Sequence, residues 1–282
     1  MFSVVINTRN EIGHIADCIA SVRGFADEVI VCDMKSEDGT AEVARNLGAR
    51  VIDHPICGFV EPARYAAISA AREDWVLVVD ADERLTPELA ARLREIARDG
   101  RHSAVSIAFL TQFAGYWLRH GPTGHLRVAR FFRRQTYFDC FQSDELQLHE
   151  NFKSLRRLPD LLQLDLSTPM LHLAYPSLRG LIRKQILYAY EDAQKRWQNG
   201  ETSHWRRTFR RILDRGRKGM LSQKAWRDGV PGWVFVGVMC LHELVSSNRL
   251  RDLQLSGRAE ALPQIGPANA LPLAAKVAGV QG

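Results

Sequence analysis

Over its first hundred residues the chain alternates, four times, between a short apolar run and a helical repeat, and few folds accept that rhythm. Residues 2–6 (Phe-Ser-Val-Val-Ile) end at Asn7 and read as a buried parallel strand. Ile12, Ile15, Ala16, Ile19 and Ala20 then recur at helical spacing. Val29 to Cys32 is again strand-like, and Thr40 is placed to cap a helix carrying Val43, Ala44 and Leu47 that stops at Gly48. Arg50 to Ile52 forms a third short strand. Pro62 opens an alanine-rich helix through Ala71, and Trp75 to Val79 forms a fourth strand. Thr86-Pro87-Glu88 places a cap, a first-turn proline and an acid where a helix start favours them. Strand–helix repeats of this length predict an α/β fold: a doubly wound, mostly parallel sheet with helices on both faces.

Beyond residue 100 the pattern loosens. Residues 104–110 and 126–132 read as strands, separated by the turn-rich segment 119–125. The helical period returns from Leu178 to about Leu250, with Trp197, Trp205, Trp226 and Trp233 along it. The expected organisation is a catalytic α/β domain over 1–177, a basic helical region over 178–255, and a weakly ordered tail over 256–282. That tail is rich in Ala, Gly, Pro and Leu.

Charge divides the chain the same way. The net charge is +6, yet residues 1–175 hold 20 Lys and Arg against 24 Asp and Glu, whereas residues 176–260 hold 17 against 8. The second half therefore suits an anionic partner such as a lipid surface, a phosphorylated acceptor or nucleic acid. Residues 206–218 carry seven basic residues and one acid, with Phe209, Ile212 and Leu213 able to share one face. This is either an interfacial helix on anionic lipid or a solvated helix face. Nucleic acid is the poorer reading, because no recognised binding motif accompanies the charge. The most apolar run, residues 233–241, has nine residues, so no bilayer span is expected where about 20 are needed. Met1 to Asn7 lacks a basic n-region, so no secretory signal is expected. Five cysteines without a C-x-x-C pair read as reduced thiols of a cytoplasmic protein.

In an open parallel sheet, ligands bind beyond the carboxyl ends of the strands. Three such ends here are polar: Asn7 to Glu11, Asp33 to Thr40 and Asp80 to Glu83. Acids at all three would repel one another unless a cation or hydroxyl groups lay between them. Asp80 and Asp82, two residues apart after an apolar strand, point to one side. So placed, they can hold Mg²⁺ or Mn²⁺ together with substrate phosphates. Neither a G-x-G-x-x-G nor a P-loop pattern occurs.

Taken together, Val4 to Glu11, Asp27 to Asp33, Ser36 to Thr40, Ala63-Arg64 and Trp75 to Arg84 resemble family 2 glycosyltransferases of the GT-A fold. The later Arg130-Phe-Phe-Arg-Arg134, His149-Glu150 and His172-Leu-Ala-Tyr175 are most similar to the bacterial lipopolysaccharide-core glucosyltransferase group. The resemblance covers roughly residues 2–190. It implies an inverting, metal-dependent hexosyltransferase using a UDP-linked sugar, with a glycolipid acceptor, at the inner face of the inner membrane. Under it, Thr8, Asn10 and Glu11 line the nucleoside pocket, Asp33 contacts the base, and Arg64 lies near the base or diphosphate. Asp80 and Asp82, with Ala81 between them, bind ribose and metal. Met34 and Tyr65 depart from the family, which has a small residue and an asparagine at those places. His172 either satisfies a structural need or completes the metal site.

Direct displacement at an anomeric carbon needs a carboxylate to take the acceptor's proton. Candidates after residue 100 are Asp139, Asp144, Glu145 and Glu150. Alternation in Leu146-Gln-Leu-His-Glu150 puts Glu150 on the side of two leucines, and the His-Glu pair matches the family's position for this role, so Glu150 is the expected base and Glu145 the reserve. Two other readings stay open: a glycosyltransferase acting on a small-molecule natural product, and a non-catalytic nucleotide-sugar-binding module.

Overall fold

A computed structural model describes residues 1–56, 60–140 and 154–257. The first four strands are β1 (Phe2–Thr8), β2 (Glu28–Asp33), β3 (Arg50–Asp53) and β4 (Trp75–Asp80). They are joined by helices α1 (Ile12–Arg23), α2 (Thr40–Asn46) and α3 (Glu61–Ala70), and all pair in parallel in the order β3-β2-β1-β4. The α/β reading thus holds for the opening hundred residues. Helix α4 (Pro87–Asp99) starts as expected, with the Thr86 hydroxyl accepting from the Leu89 N–H at 3.2 Å. Thr40 does not cap α2. The helix begins at Thr40 itself, after Gly39 at a φ of 91°, and the threonine hydroxyl instead accepts from the Glu11 N–H in the neighbouring loop at 2.9 Å.

The sheet then continues through a mixture of antiparallel and parallel pairings. β5 (Glu83–Arg84) is a two-residue edge piece, followed by the long β6 (Ala104–Phe113) and the short β7 (Tyr116–Leu118). After the helical turn α5 (Gly121–Gly124) come β8 (Arg127–Arg133), α6 (Arg134–Cys140), β9 (Leu162–Gln163) and β10 (Met170–Tyr175). The main order is β3-β2-β1-β4-β8-β6-β10-β5, with β7 and β9 also on β6. One core layer joins α1, α2 and α4 to the sheet through Ile15, Leu89 and Phe131; the opposite layer packs Ala67, Ile68 and Tyr137. Helices therefore cover both faces, which is why β1 and β4 are buried along almost their whole length rather than on alternate residues.

Three helices follow: α7 (Leu178–Gln198), α8 (Trp205–Arg217) and α9 (Gly229–Ser256). Leu181, Phe235 and Met239 pack on Phe113 and Leu118, so this region shares a core with the far end of β6. The apolar run 233–241 understates α9. Together with the turn before it, Ala225–Ser256 is long and apolar enough, by length and composition, to cross a membrane. Cys18 and Cys32 are buried, and Cys140 and Cys240 are half-buried. The expected tail falls, beyond Gly257, outside the described residues.

Candidate active site

The strand order reverses at β1 and β4, with β2 on one side and β8 on the other, which opens a crevice beyond the carboxyl edge. Pairing levels the polar ends there: Asn7 lies opposite Asp80, and Thr8 opposite Asp33. Asn7, Thr8 and Asp33 are buried. Asn7 Oδ1 and Nδ2, Thr8 Oγ1, Asp33 Oδ1, Glu11 Oε2 and His172 Nδ1 are enclosed with no hydrogen-bond partner among the described residues. A buried polar atom without a partner costs about 1–3 kcal/mol, so such a concentration at a switch point is the mark of a polar ligand's seat.

Two loops are braced against each other around this seat. Asn10, at a φ of 55°, occupies the left-handed region that asparagine tolerates. Its N–H donates to Ser36 Oγ at 2.8 Å, and its Oδ1 accepts from the Glu37 N–H at 2.8 Å. Asp38 Oδ2 accepts from the Ile12 N–H at 3.0 Å, at the start of α1. Asn10, expected in the nucleoside pocket, therefore also holds the loop after β2 in place. Asp33 Oδ2 accepts from the Ser36 N–H at 2.9 Å, which leaves its other oxygen for the crevice.

Asp80 is held differently from Asp82. Both Asp80 oxygens accept from Arg64 Nη2, at 2.9 and 3.0 Å, and Oδ2 also accepts from Arg130 Nη2 at 2.7 Å. Arg130 reaches Glu83 Oε1 at 3.1 Å, and Glu83 Oε2 accepts from the Asp80 N–H at 2.8 Å. Burial alone would raise Asp80, but the Arg130 and Arg64 guanidiniums hold it well below the carboxylate range. Burial pushes Glu83 up against the pull of Arg130. Ala81 is buried, and its carbonyl accepts from Arg84 Nη1 at 2.8 Å.

Asp82 lies 3.5 Å from His172 Nε2, while the Leu173 N–H donates to the Asp82 carbonyl at 2.8 Å. Strand β10 thus carries its histidine to the acidic turn. Burial opposes both charges, but the pair outweighs it: Asp82 is lowered and His172 raised. Glu11 is pushed up to about 7, first by burial and then by the charges of Asp82, Asp38 and Asp80. Among the described residues no cluster of three or more His, Cys, Asp or Glu could hold a metal. Asp82 is nevertheless the kind of donor that Mg²⁺ or Mn²⁺ takes, and with His172 beside it these two residues would hold such an ion.

Three participants carried no assigned role in the sequence reading. Arg130 and Glu83 were only letters of a signature, although a charge inside an apolar strand calls for a buried partner. Lys184 had no signal at all, because only packing brings α7 to the crevice. Its ammonium stands 5.4 Å from the Tyr175 ring centroid. Burial opposes its charge, yet Tyr188, Asp82 and Tyr175 hold it above the ordinary lysine value. It makes no ion pair with a described residue. Tyr65 packs on Tyr137 and Phe138 at 6.3 and 5.9 Å between ring centroids. Glu145 and Glu150 lie outside the described residues. A surface groove of about 660 Å³ along α7, lined by Leu178, Ile182 and Arg183, includes none of these residues.

Comparison with known proteins places this crevice in context. An uncharacterized glycosyltransferase of Rickettsia prowazekii is 40% identical over 116 residues, which is 40% of this chain and 39% of the relative. A dolichyl-phosphate hexose transferase of Haloferax volcanii is 31% identical over 130 residues, 45% of this chain and 56% of the relative. The chain thus spans about two-fifths of the length of the first of these relatives. Among solved structures, glucosyl-3-phosphoglycerate synthase of Mycobacterium tuberculosis, in complex with Mn²⁺, UDP and glucosyl-3-phosphoglycerate, aligns with a TM-score of 0.48 at 20% identity. That alignment covers 62% of this chain and 73% of the other, a likeness too distant to bear on donor or acceptor. The profile of Glycosyl transferase family 2 matches residues 3–157, more than half of the sequence. The chain belongs to that family.

Proposed function

We propose that the protein transfers a hexose from a UDP-linked donor to a hydroxyl of a glycolipid acceptor, of the lipopolysaccharide-core kind, with inversion at the anomeric carbon. The observation that carries this reading is the set of buried polar atoms on Asn7, Thr8, Glu11, Asp33 and His172 that have no partner among the described residues. Family membership and the likeness to a dolichyl-phosphate hexose transferase support a hexose and a lipid-linked acceptor.

In this reading Asp33 Oδ1 accepts from a pyrimidine N–H, and Thr8, Asn10 and Glu11 line the nucleoside pocket. Asp80, fixed by Arg64 and Arg130, meets the ribose beside Ala81, while its guanidinium partners bring positive charge toward the diphosphate. Asp82 and His172, with Asp80, would hold Mg²⁺ or Mn²⁺, and the cation would supply charge to neutralise the diphosphate. Lys184 adds a second cation on the leaving-group side. Glu150 takes the acceptor's proton, with Glu145 as the alternative. The basic segment 206–218 faces an anionic membrane, so the enzyme works peripherally at its cytoplasmic side.

Calorimetric titration of UDP with and without Mn²⁺ tests the donor site. Metal-dependent binding is expected, and its absence would favour a non-catalytic module. Mass spectrometry of products from a panel of UDP-sugars with glycolipid and small-molecule acceptors then identifies the reaction.

A further inference from the structure

Helix α8 has no buried residue. Trp205, Phe209 and Leu213 recur every four positions, so they form one stripe along it, and all three are exposed, Trp205 to 75%. Helix α9 carries a second stripe: Trp233 (60% exposed), Leu241 and Leu244 lie on one side of it. The two helices run antiparallel. Ser203 Oγ, just before α8, donates to the Ser247 carbonyl at 2.8 Å, whereas the later Ile212 carbonyl accepts from Cys240 Sγ at 3.7 Å. Contact is made by the edge of α8 that bears Ile212, Arg215 and Gly216, with Arg215 paired to Glu243. That edge is about a quarter turn from the Trp205 stripe, and in antiparallel packing the rotation brings both stripes to the same side. Arg206, Arg210 and Arg217 fall on the flank of α8 beyond the stripe and are exposed.

An apolar surface of this extent is rare on a monomer that meets only water. We infer that the α8–α9 face lies in the interface of an anionic bilayer, with Phe209, Leu213, Leu241 and Leu244 below the headgroups and Trp205, Trp233, Arg206, Arg210 and Arg217 among them. This deepens, and rests on, the membrane-side part of the reading above. Charge complementarity selects the occupant. The arginine flank matches anionic headgroups, whereas a second copy docked face to face would bring two such flanks together. Tryptophans at the margin of an apolar face are the usual anchors at headgroup depth.

The same geometry excludes a span. The inner side of α9 buries Glu243, Ser246 and Ser247. Ser246 Oγ donates to Asp192 at 2.5 Å and accepts from Arg196 at 3.0 Å, tying α9 to α7. Moving α9 into hydrocarbon would strand those groups. The helix meets the length and composition of a span but is polar on one side, which is the pattern of a helix lying on a membrane.

The full chain is incubated with phosphatidylcholine vesicles, with and without 30% phosphatidylglycerol, and co-sedimented at low and high salt. Binding is expected to the anionic vesicles only, with tryptophan quenching by lipids brominated on the acyl chain. Replacing Arg206, Arg210 and Arg217 with Gln should weaken binding by about 10²-fold at low salt, at about fivefold per cation. The variant F209S/W233S/L241S should lose both binding and quenching, while far-UV circular dichroism and UDP affinity stay as in the parent. Vesicle binding unchanged in both variants would overturn the inference, as would resistance to alkaline carbonate extraction, which would mark α9 as a span. A parent dimer in sedimentation velocity that F209S/W233S/L241S dissolves would overturn it too, by giving the face to a second copy. Donor binding is read separately: vesicle binding without UDP binding keeps this inference and removes the catalytic reading, and the converse does the opposite.

Discussion

Removing the Arg130 charge should expose how much of the site's stability rests on one buried cation. The guanidinium, 7% exposed, bridges Asp80 at 2.7 Å and Glu83 at 3.1 Å. In Arg130→Met the apolar stem stays, Asp80 keeps Arg64, and Glu83 loses its ion-pair partner. Breaking a buried pair in this way costs about 3–5 kcal/mol. For a chain of this size each kcal/mol moves Tm by roughly 2–4 °C, so a fall of roughly 6–20 °C is expected. The pH dependence has a definite sign. Arg130 is what pulls Glu83 down against burial, so without it the folded-state value rises further above the unfolded one. A raised folded value contributes stability that is present below the unfolded value and is lost as pH climbs through the folded one. The variant's deficit should therefore be largest at pH 8 and shrink toward pH 5. Adding Glu83→Gln removes the charge left behind and should recover at least about 1 kcal/mol at pH 8, as contacting residues couple. Urea unfolding followed by tryptophan fluorescence at both pH values measures all of this. A deficit below about 1 kcal/mol at pH 8, or one that widens on acidification, would refute the reasoning.

Asp82→Ala should abolish turnover while Tm stays nearly unchanged, and wild-type turnover persisting in EDTA would remove the metal from the site. Lys184→Met should weaken UDP binding by roughly 10–150-fold, the equivalent of one hydrogen bond to a charged group at about 1.5–3 kcal/mol; unchanged calorimetric affinity would leave Lys184 without a part in donor binding. Glu150→Gln should lower kcat by at least about 10²-fold with UDP-sugar affinity intact; if only Glu145→Gln does so, the role moves there. Thr86→Ala should destabilise the fold by about 1 kcal/mol through loss of the α4 cap, read from the urea midpoint.

The sequence by itself determined the first half of the fold. Runs such as Val76-Leu-Val-Val79 are apolar on both faces because helices cover both sides, and that leaves a periodicity that needs no structure to read. Strand ends ending in Asn7, Asp33 and Asp80 likewise placed the crevice, because ligand position in such sheets follows topology. Local chemistry misled at Thr40, whose hydroxyl serves the loop after β1 rather than its own helix. What tertiary structure alone decided is everything that joins distant segments. Strand β10 carries His172 to Asp82 across ninety residues, and β8 carries Arg130 under Asp80 across fifty. Neither distance has a period. Helix α9 shows the same division: its composition passes for a membrane span, and only packing reveals that Glu243, Ser246 and Ser247 share its inner side. A sequence records which side chains a segment offers, whereas pairing across strands and helices is set by burial of the whole chain at once. Electrostatic sites therefore surface only when the chain closes around them.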